Sequence, residues 1–485
     1  MISRGFIKNS VLYTVAGAMP MASAIILLPF YVKSLSASDF GALSVLLTFT
    51  ILIQIVVTYS FDASIYLYFH EFRKDSEKLG RFISTAFLFV LLVGVAVSLI
   101  LAWVGDMLFG GFAGNQQLNF FPFGMMSATT AVFQSVFKMH NSLMQTQERP
   151  LQYLISNLVA FVLIAGLTIG GLSWFPSSLM GPVGGRMVAM GVVSLWSIIR
   201  IFSEFGVHFD WKLLKSTFSY GHSSYAYQLQ QWIINYFDRP IMAWMGVMAD
   251  LGVYDFALKC LVVIDLVIAG LYNTLFPRIL SRHGDQAVSG STVEINRYYN
   301  GLTAAIMLLV ASSILVLPYL IDWFVTNTSF RAVVPFIPFA ALIFLLKGLR
   351  YFVGMPYSTQ KYAKPLPWIL AGVTITKLIL SWILIRRIGI MGAVGATIVC
   401  QAMEIVLLAW WIRRRFTFRF NALKLVVAPL LLMLLIAGAE PFTTPQLSGW
   451  VHLGYVFFTL VLLLLVYRNE WSQIDWRKLL SNPKT

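Results

Sequence analysis

Fourteen long apolar runs constrain this chain more than any other feature. They fall at residues 11–32, 41–66, 82–104, 120–139, 151–172, 180–202, 217–247, 251–277, 300–321, 333–355, 366–385, 390–412, 422–439 and 451–467. A hydrocarbon layer about 30 Å thick is crossed by roughly 20 apolar residues of helix. Membrane β-strands alternate in polarity and run only about ten residues, so a barrel is excluded. The chain has 485 residues, of which 11% are charged, against about 25% in soluble domains. A soluble core stops growing near about 250–300 residues; with lipid as the apolar solvent, one larger helical assembly is allowed. The fold class read from this is an all-α polytopic membrane protein of about fourteen transmembrane helices.

The formal net charge is +15, and three readings compete for it. Nucleic-acid binding requires basic residues clustered on a soluble face. Attraction to anionic membrane surfaces places them in cytoplasmic loops, and an anionic substrate places them inside the membrane. With the N-terminus in the cytoplasm, the segments and span ends assigned inside hold 25 of the 35 lysines and arginines. They include Arg73, Lys74, Lys78 and Arg81 after the second run, and Arg278, Arg282 and Arg297 after the eighth. Arg413, Arg414, Arg415, Arg419 and Lys424 follow the twelfth. Outside segments hold four, namely Lys33, Arg331, Arg386 and Arg387, and six lie within spans. One missed helix would invert every later assignment, so the bias supports an even count. Both termini are then cytoplasmic, with Arg468, Arg477 and Lys478 at the C-terminal end. Nucleic acid is not an expected partner.

Neither cysteine, Cys260 nor Cys400, lies in an exposed segment, so both read as core residues rather than a disulfide. The six histidines have no metal-ligand spacing, and there is no His-Glu-x-x-His and no Gly-x-x-x-x-Gly-Lys. No cofactor, metal or catalytic residue is expected, and the chain is not read as an enzyme. Arg4 and Lys8 before an apolar run resemble a signal peptide, but apolar residues continue through Leu27-Leu28-Pro29-Phe30. The segment is therefore expected to be a retained first helix.

The sequence repeats itself. Pro29, Asp39 and Gly41 recur 211 residues later as Pro240, Asp250 and Gly252. Met180-Gly181-Pro182-Val183-Gly184-Gly185 recurs as Met391-Gly392-Ala393-Val394-Gly395-Ala396 at the same offset. Lys8 and Tyr13 match Lys215 and Tyr220, and Arg149-Pro150-Leu151 matches Lys364-Pro365-Leu366, at nearby offsets. The offset covers six spans, an even number, so the halves are expected to be parallel repeats related by an axis along the membrane normal. The expected organisation is an N-terminal six-helix lobe over 1–208, a C-terminal six-helix lobe over 209–415, and two further helices with a tail over 416–485. Two such lobes are the usual arrangement for alternating access.

Several short motifs add a family resemblance: Ser38-Asp39-Phe40-Gly41, Tyr236-Phe237-Asp238-Arg239-Pro240, Leu251-Gly252-Val253-Tyr254 and the paired Gly-x-x-Gly openings. The chain resembles the oligosaccharide and polysaccharide flippases, of O-antigen type, in the multidrug/oligosaccharidyl-lipid/polysaccharide exporter superfamily. That resemblance implies two six-helix lobes around a central cavity. It also implies movement of an undecaprenyl-diphosphate-linked glycan from the cytoplasmic to the periplasmic leaflet of a bacterial inner membrane. Family members often carry basic residues on the first two helices, and here those spans have none.

Six cations lie in spans: Arg186, Arg239, Lys259, Lys347, Arg350 and Lys377. At roughly 2.5–3.5 kcal/mol each at mid-depth, six facing lipid would cost about 15–20 kcal/mol. Most must be paired, near an interface, or facing water. Lys377, on a run with no acidic residue, is favoured as a cavity-facing cation. Lys347 and Arg350 share a helix face and could grip a diphosphate or snorkel to the interface. Asp255 and Lys259 are spaced as a helical pair; Asp238-Arg239 either lines a mouth or caps a span. Arg186 matches Thr397 in the repeat, so the duplicated fold does not require its charge. All six are candidate diphosphate-binding residues.

Asp265, Glu404 and Asp62 are intramembrane acids, candidates for ion coupling or for structural partnership with a cation. Polar residues crowd the seventh run, and His222, Tyr225, Gln228, Gln231 and Asn235 are candidates for holding a glycan. Interhelical hydrogen bonding is the alternative for them.

The leading function is therefore a flippase for a polyprenyl-diphosphate-linked glycan, driven by an ion gradient, with the polysaccharide polymerase machinery as a candidate partner. A drug or metabolite antiporter of the same superfamily is the second reading, although interior cations oppose cationic drugs by Coulomb repulsion. A membrane glycosyltransferase would require a large external loop or an acidic catalytic pair, and neither is visible.

Overall fold

Inside lipid a backbone N–H or C=O has no water to bond, so each apolar run must satisfy itself as helix. The computed structural model describes residues 4–112, 118–270, 293–359, 366–413, 421–444 and 447–468, and among these there is no strand. The helices are α1 (Arg4–Ser34), α2 (Ala37–Thr58), α3 (Phe61–Phe72), α4 (Ser76–Phe109), α5 (Met125–Thr146), α6 (Pro150–Trp174), α7 (Met180–Phe205), α8 (Trp211–Tyr236), α9 (Asp238–Trp244) and α10 (Met248–Cys260). After these come helical residues 262–270, then α11 (Val293–Phe324), α12 (Ile337–Thr359), α13 (Leu366–Arg413), α14 (Ala428–Ala439) and α15 (Ser448–Val466). Arg278, Arg282, Lys364, Arg414, Arg415, Arg419, Arg477 and Lys478, used above for orientation or repeat matching, lie outside the described residues.

Ten of the described helical stretches are long and apolar enough to cross a membrane. The expected eleventh and twelfth spans run together in α13, with a break at Ile388 and Gly389, whose φ of 56° suits glycine. The expected fourth and seventh spans correspond to α5 and to α8–α9, and the eighth to α10 together with helical residues 262–270. These are not among the ten, and they carry hydroxyl, amide and charged side chains. Outward-facing apolar residues such as Trp103, 87% exposed, and Trp368, 83% exposed, would be anomalous in water. Against lipid tails they are ordinary.

The helix ends obey local chemistry. Ser36 accepts from the Asp39 N–H and donates to the Asp39 carboxylate at 2.6 Å, a reciprocal cap that starts α2. Asp75 caps α4 through the Lys78 N–H, and Asp210 caps α8 through the Leu213 N–H. Left-handed Tyr59 and Ser60 break the chain between α2 and α3.

The chain divides into two compact units by proximity. The first holds residues 1–259, 324–333 and 363–400. Within it α6 packs on α1 and α7, α5 on α2, α3, α4 and α7, and α8 on α2, α3 and α4. The second holds 260–323, 334–362 and 401–485, with α14 packed on α12 and α15.

Repeated glycines mark close backbone crossings in the first unit. A Cβ on Gly41 would collide with the Met248 carbonyl, and one on its repeat equivalent Gly252 would collide with the Ala37 carbonyl. The starts of α2 and α10, equivalent by sequence, thus cross glycine against glycine. Gly181 meets the backbone of Gly171, and its equivalent Gly392 meets that of Leu384.

Candidate functional site

A charge taken out of water is tolerable only with close partners, and the first unit shows how these are supplied. α8 ends at Phe237, and the short α9 presents Asp238 and Arg239 in succession. Asp238 turns toward α13. Lys377 Nζ lies 2.6 Å from its Oδ1, and both side chains are wholly buried. Ser381 donates to Asp238 Oδ1 at 2.9 Å, and Tyr254 to Oδ2 at 3.0 Å. Thr397 completes the group, 3.2 Å from Asp238 Oδ2 and accepting from Lys377 at 2.6 Å. The acid that neutralises Lys377 comes from a distant part of the chain, and the run 366–385 holds none of its own.

Arg239 turns the other way. Its Nε and Nη2 donate to Asp255 Oδ1 at 3.0 and 2.8 Å, and Nη1 donates to the Asn235 carbonyl at 3.1 Å. Lys259 reaches the other oxygen of the same carboxylate at 2.6 Å and sits 4.4 Å over the Phe40 ring. Arg239 and Lys259 therefore share one anion. Arg186 lies on α7, in the same unit. Its Nε is buried without a hydrogen-bond partner, and among the described residues no carboxylate pairs with it. Two cations on the single carboxylate of Asp255 leave this corner of the first unit with surplus positive charge.

Asp62 is paired with Lys138 at 2.9 Å, and Lys138 also donates to Gln228 at 3.4 Å. Gln228 donates to Ser60 at 2.7 Å. His222 lies 3.0 Å from the Tyr59 hydroxyl, and Tyr225 stacks on the Tyr59 ring with centroids 4.5 Å apart. Asn235 donates to the Gln231 carbonyl at 2.7 Å. The polar face of α8 thus forms a run of hydroxyls, amides and rings shared with α2, α3 and α5.

In the second unit two of the expected cations are paired separately. Lys347 lies 2.5 Å from Asp265, and Arg350 Nε donates to Glu404 at 2.6 Å. Lys347 and Arg350 share a face of α12, yet each goes to its own acid. The structure brings Arg239 and Lys259 together on Asp255, pairs Lys377 with Asp238, and neutralises Lys347 and Arg350 one by one. Sequence reasoning missed Tyr254, Ser381 and Thr397 as donors to Asp238. The overlap of Thr397 with the repeat equivalent of Arg186 was the available signal.

A family model described as "Polysaccharide biosynthesis protein" matches residues 6–283. That is more than half of the chain. The chain belongs to this family. The fold of this family member is also that of several solved structures. One, "Lipid II flippase MurJ, inward closed conformation", matches with a TM-score of 0.70 at 14% identity, covering 96% of this chain and 99% of its own. An inward-facing multidrug resistance MATE family transporter of the MOP superfamily matches with a TM-score of 0.64 at 14% identity, over 82% of this chain and 94% of its own. An outward-facing MATE structure matches with a TM-score of 0.57 at 12% identity, over 85% and 95%. At these identities the likeness shows the fold. No curated protein matches the sequence.

Proposed function

We propose that this chain is a flippase that carries an undecaprenyl-diphosphate-linked oligosaccharide from the cytoplasmic to the periplasmic leaflet of a bacterial inner membrane. The observation that supports the reading is that Arg239 and Lys259 share the single carboxylate of Asp255 while Arg186, in the same unit, has a buried Nε with no hydrogen-bond partner. A diphosphate supplies the negative charge that these cations lack. Arg186 offers a planar fork to two phosphate oxygens, and Lys259 a point charge. The shared rings and amides of α8, with His222, Tyr225, Gln228, Gln231 and Asn235, offer hydrogen bonds and stacking to sugars. Membership of a polysaccharide biosynthesis family fits that cargo.

In this reading the two six-helix repeats alternate access, and the pairs Lys377–Asp238, Lys347–Asp265 and Arg350–Glu404 open or close with the cycle. Those three cations reach a head group only when their carboxylates let go. Asp265, Glu404 and Asp62, each bound to a cation here, are the groups through which an ion gradient would act. Polysaccharide polymerase machinery is the expected recipient of the cargo. No step forms or breaks a covalent bond.

The competing reading, a drug or metabolite antiporter, has in its favour the fold shared with multidrug transporters. Reconstitution decides between them. Proteoliposomes should expose a lipid-diphosphate-linked oligosaccharide to an enzyme or lectin on the far side, and should show no counter-transport of cationic dyes. Dye transport without glycan exposure would reject the proposal.

A further inference from the structure

At the α6–α7 hairpin a second cationic feature lies outside the cluster described above. Here α6 begins at Arg149-Pro150 and the last turns of α7 carry Arg200, Ser203 and Glu204. These residues and Gln152 line an open cavity of about 620 Å3. Arg149 clasps Glu204 with both guanidinium ends, at 3.1 and 2.9 Å, and Gln147 donates to the same carboxylate at 3.1 Å. Glu204 thereby accepts three hydrogen bonds. Arg200, one turn earlier on the same face of α7, is exposed, and among the described residues it has no ion-pair partner. The cavity holds two cations against one anion, and the anion is already engaged.

The surroundings state what kind of molecule brings the missing negative charge. Leu151 and Ile155 on α6, and Leu195 and Ile199 on α7, are each more than half exposed, so lipid tails alone can cover them. Trp196, 42% exposed, sits one turn from Arg200, toward the membrane interior. An indole beside a cation at a helix end is the arrangement that anchors to lipid head groups. A free phosphate would use the polar floor and leave the apolar wall bare. A zwitterionic lipid would use the wall and bring its own cation against Arg200.

We infer that this cavity is a binding site for an anionic phospholipid, whose phosphate is held by Arg200 over the Arg149–Glu204 clasp and whose chains lie along Leu151, Ile155, Leu195 and Ile199. The site is independent of the transported cargo, because it uses none of Arg186, Arg239 or Lys259.

The test is native mass spectrometry of the full-length protein, delipidated in detergent and titrated with phosphatidylglycerol and with phosphatidylcholine of the same chains. Wild type should bind phosphatidylglycerol in preference. Arg200→Ala should weaken that binding about tenfold, the loss of one charge-assisted hydrogen bond, and leave phosphatidylcholine binding unchanged. Arg200→Lys should retain part of the preference, and Arg73→Ala, an exposed cation elsewhere, all of it. Equal affinity of wild type for the two lipids, or an undiminished preference in Arg200→Ala, would overturn the inference. Inorganic phosphate that competes as well as the lipid would also overturn it, by making the site one for a free anion.

Discussion

Replacing Lys377 by methionine removes the cation from a carboxylate that has no route to water. Asp238 then keeps only the hydroxyls of Tyr254, Ser381 and Thr397, at 2.9–3.2 Å. Breaking a buried pair from one side costs about 3–5 kcal/mol, because a charge is stranded. Neutralising both partners, Lys377→Met with Asp238→Asn, leaves a polar but uncharged group whose neighbouring hydroxyls can rotate to donate or accept. The double variant should therefore recover most of the loss. The assay is thermal unfolding in detergent, read by fluorescence-detected size exclusion, for wild type, both single variants and the double. The expected pattern is a drop of several degrees in each single variant and a melting point near wild type in the double. If Lys377→Met melts within about one degree of wild type, as expected for a surface pair such as Arg81–Glu77, Lys377 and Asp238 are not a sealed pair and the reasoning fails.

Gly252→Ala should lower the yield of folded protein, by about 1–3 kcal/mol for forced overpacking, because its new methyl meets the Ala37 carbonyl. Gly166→Ala, where nothing lies within 4 Å, should be neutral, and expression-normalised size exclusion compares the two. Tyr254→Phe and Ser381→Ala each remove one donor from Asp238 and should each cost about 1–3 kcal/mol. Combined with Asp238→Asn, both should become nearly silent, which a double-mutant cycle of melting points measures.

The sequence announced the helices through their apolar runs, and the bias of basic residues toward alternate loops is the ground for the expected orientation. It announced the repeat as well: Gly41 and Gly252, matched at a fixed offset, prove to be the two faces of one helix crossing. Asp255 and Lys259 were visible as a pair because a helix places fourth neighbours together. The other ion pairs were not visible. Asp238 with Lys377, Asp265 with Lys347 and Glu404 with Arg350 join segments far apart in the chain, and no periodicity encodes such a meeting. Lys377 therefore looked unaccompanied on its own helix, although three helices supply its neighbours. Span limits were least legible where polar side chains crowd a helix. α8 is polar enough to escape a hydropathy test, whereas the gap between the runs 366–385 and 390–412 coincides with the break at Ile388 and Gly389 inside α13.

The most direct measurement is the rate at which purified protein in liposomes exposes a fluorescent lipid-diphosphate glycan on the far leaflet, for wild type and for Arg186→Ala, Lys259→Ala and their combination. If surplus positive charge beside Asp255 grips the diphosphate, each variant should transport at least tenfold more slowly while melting close to wild type, with Arg186→Lys partly restored. Full transport by the combined variant would contradict the account.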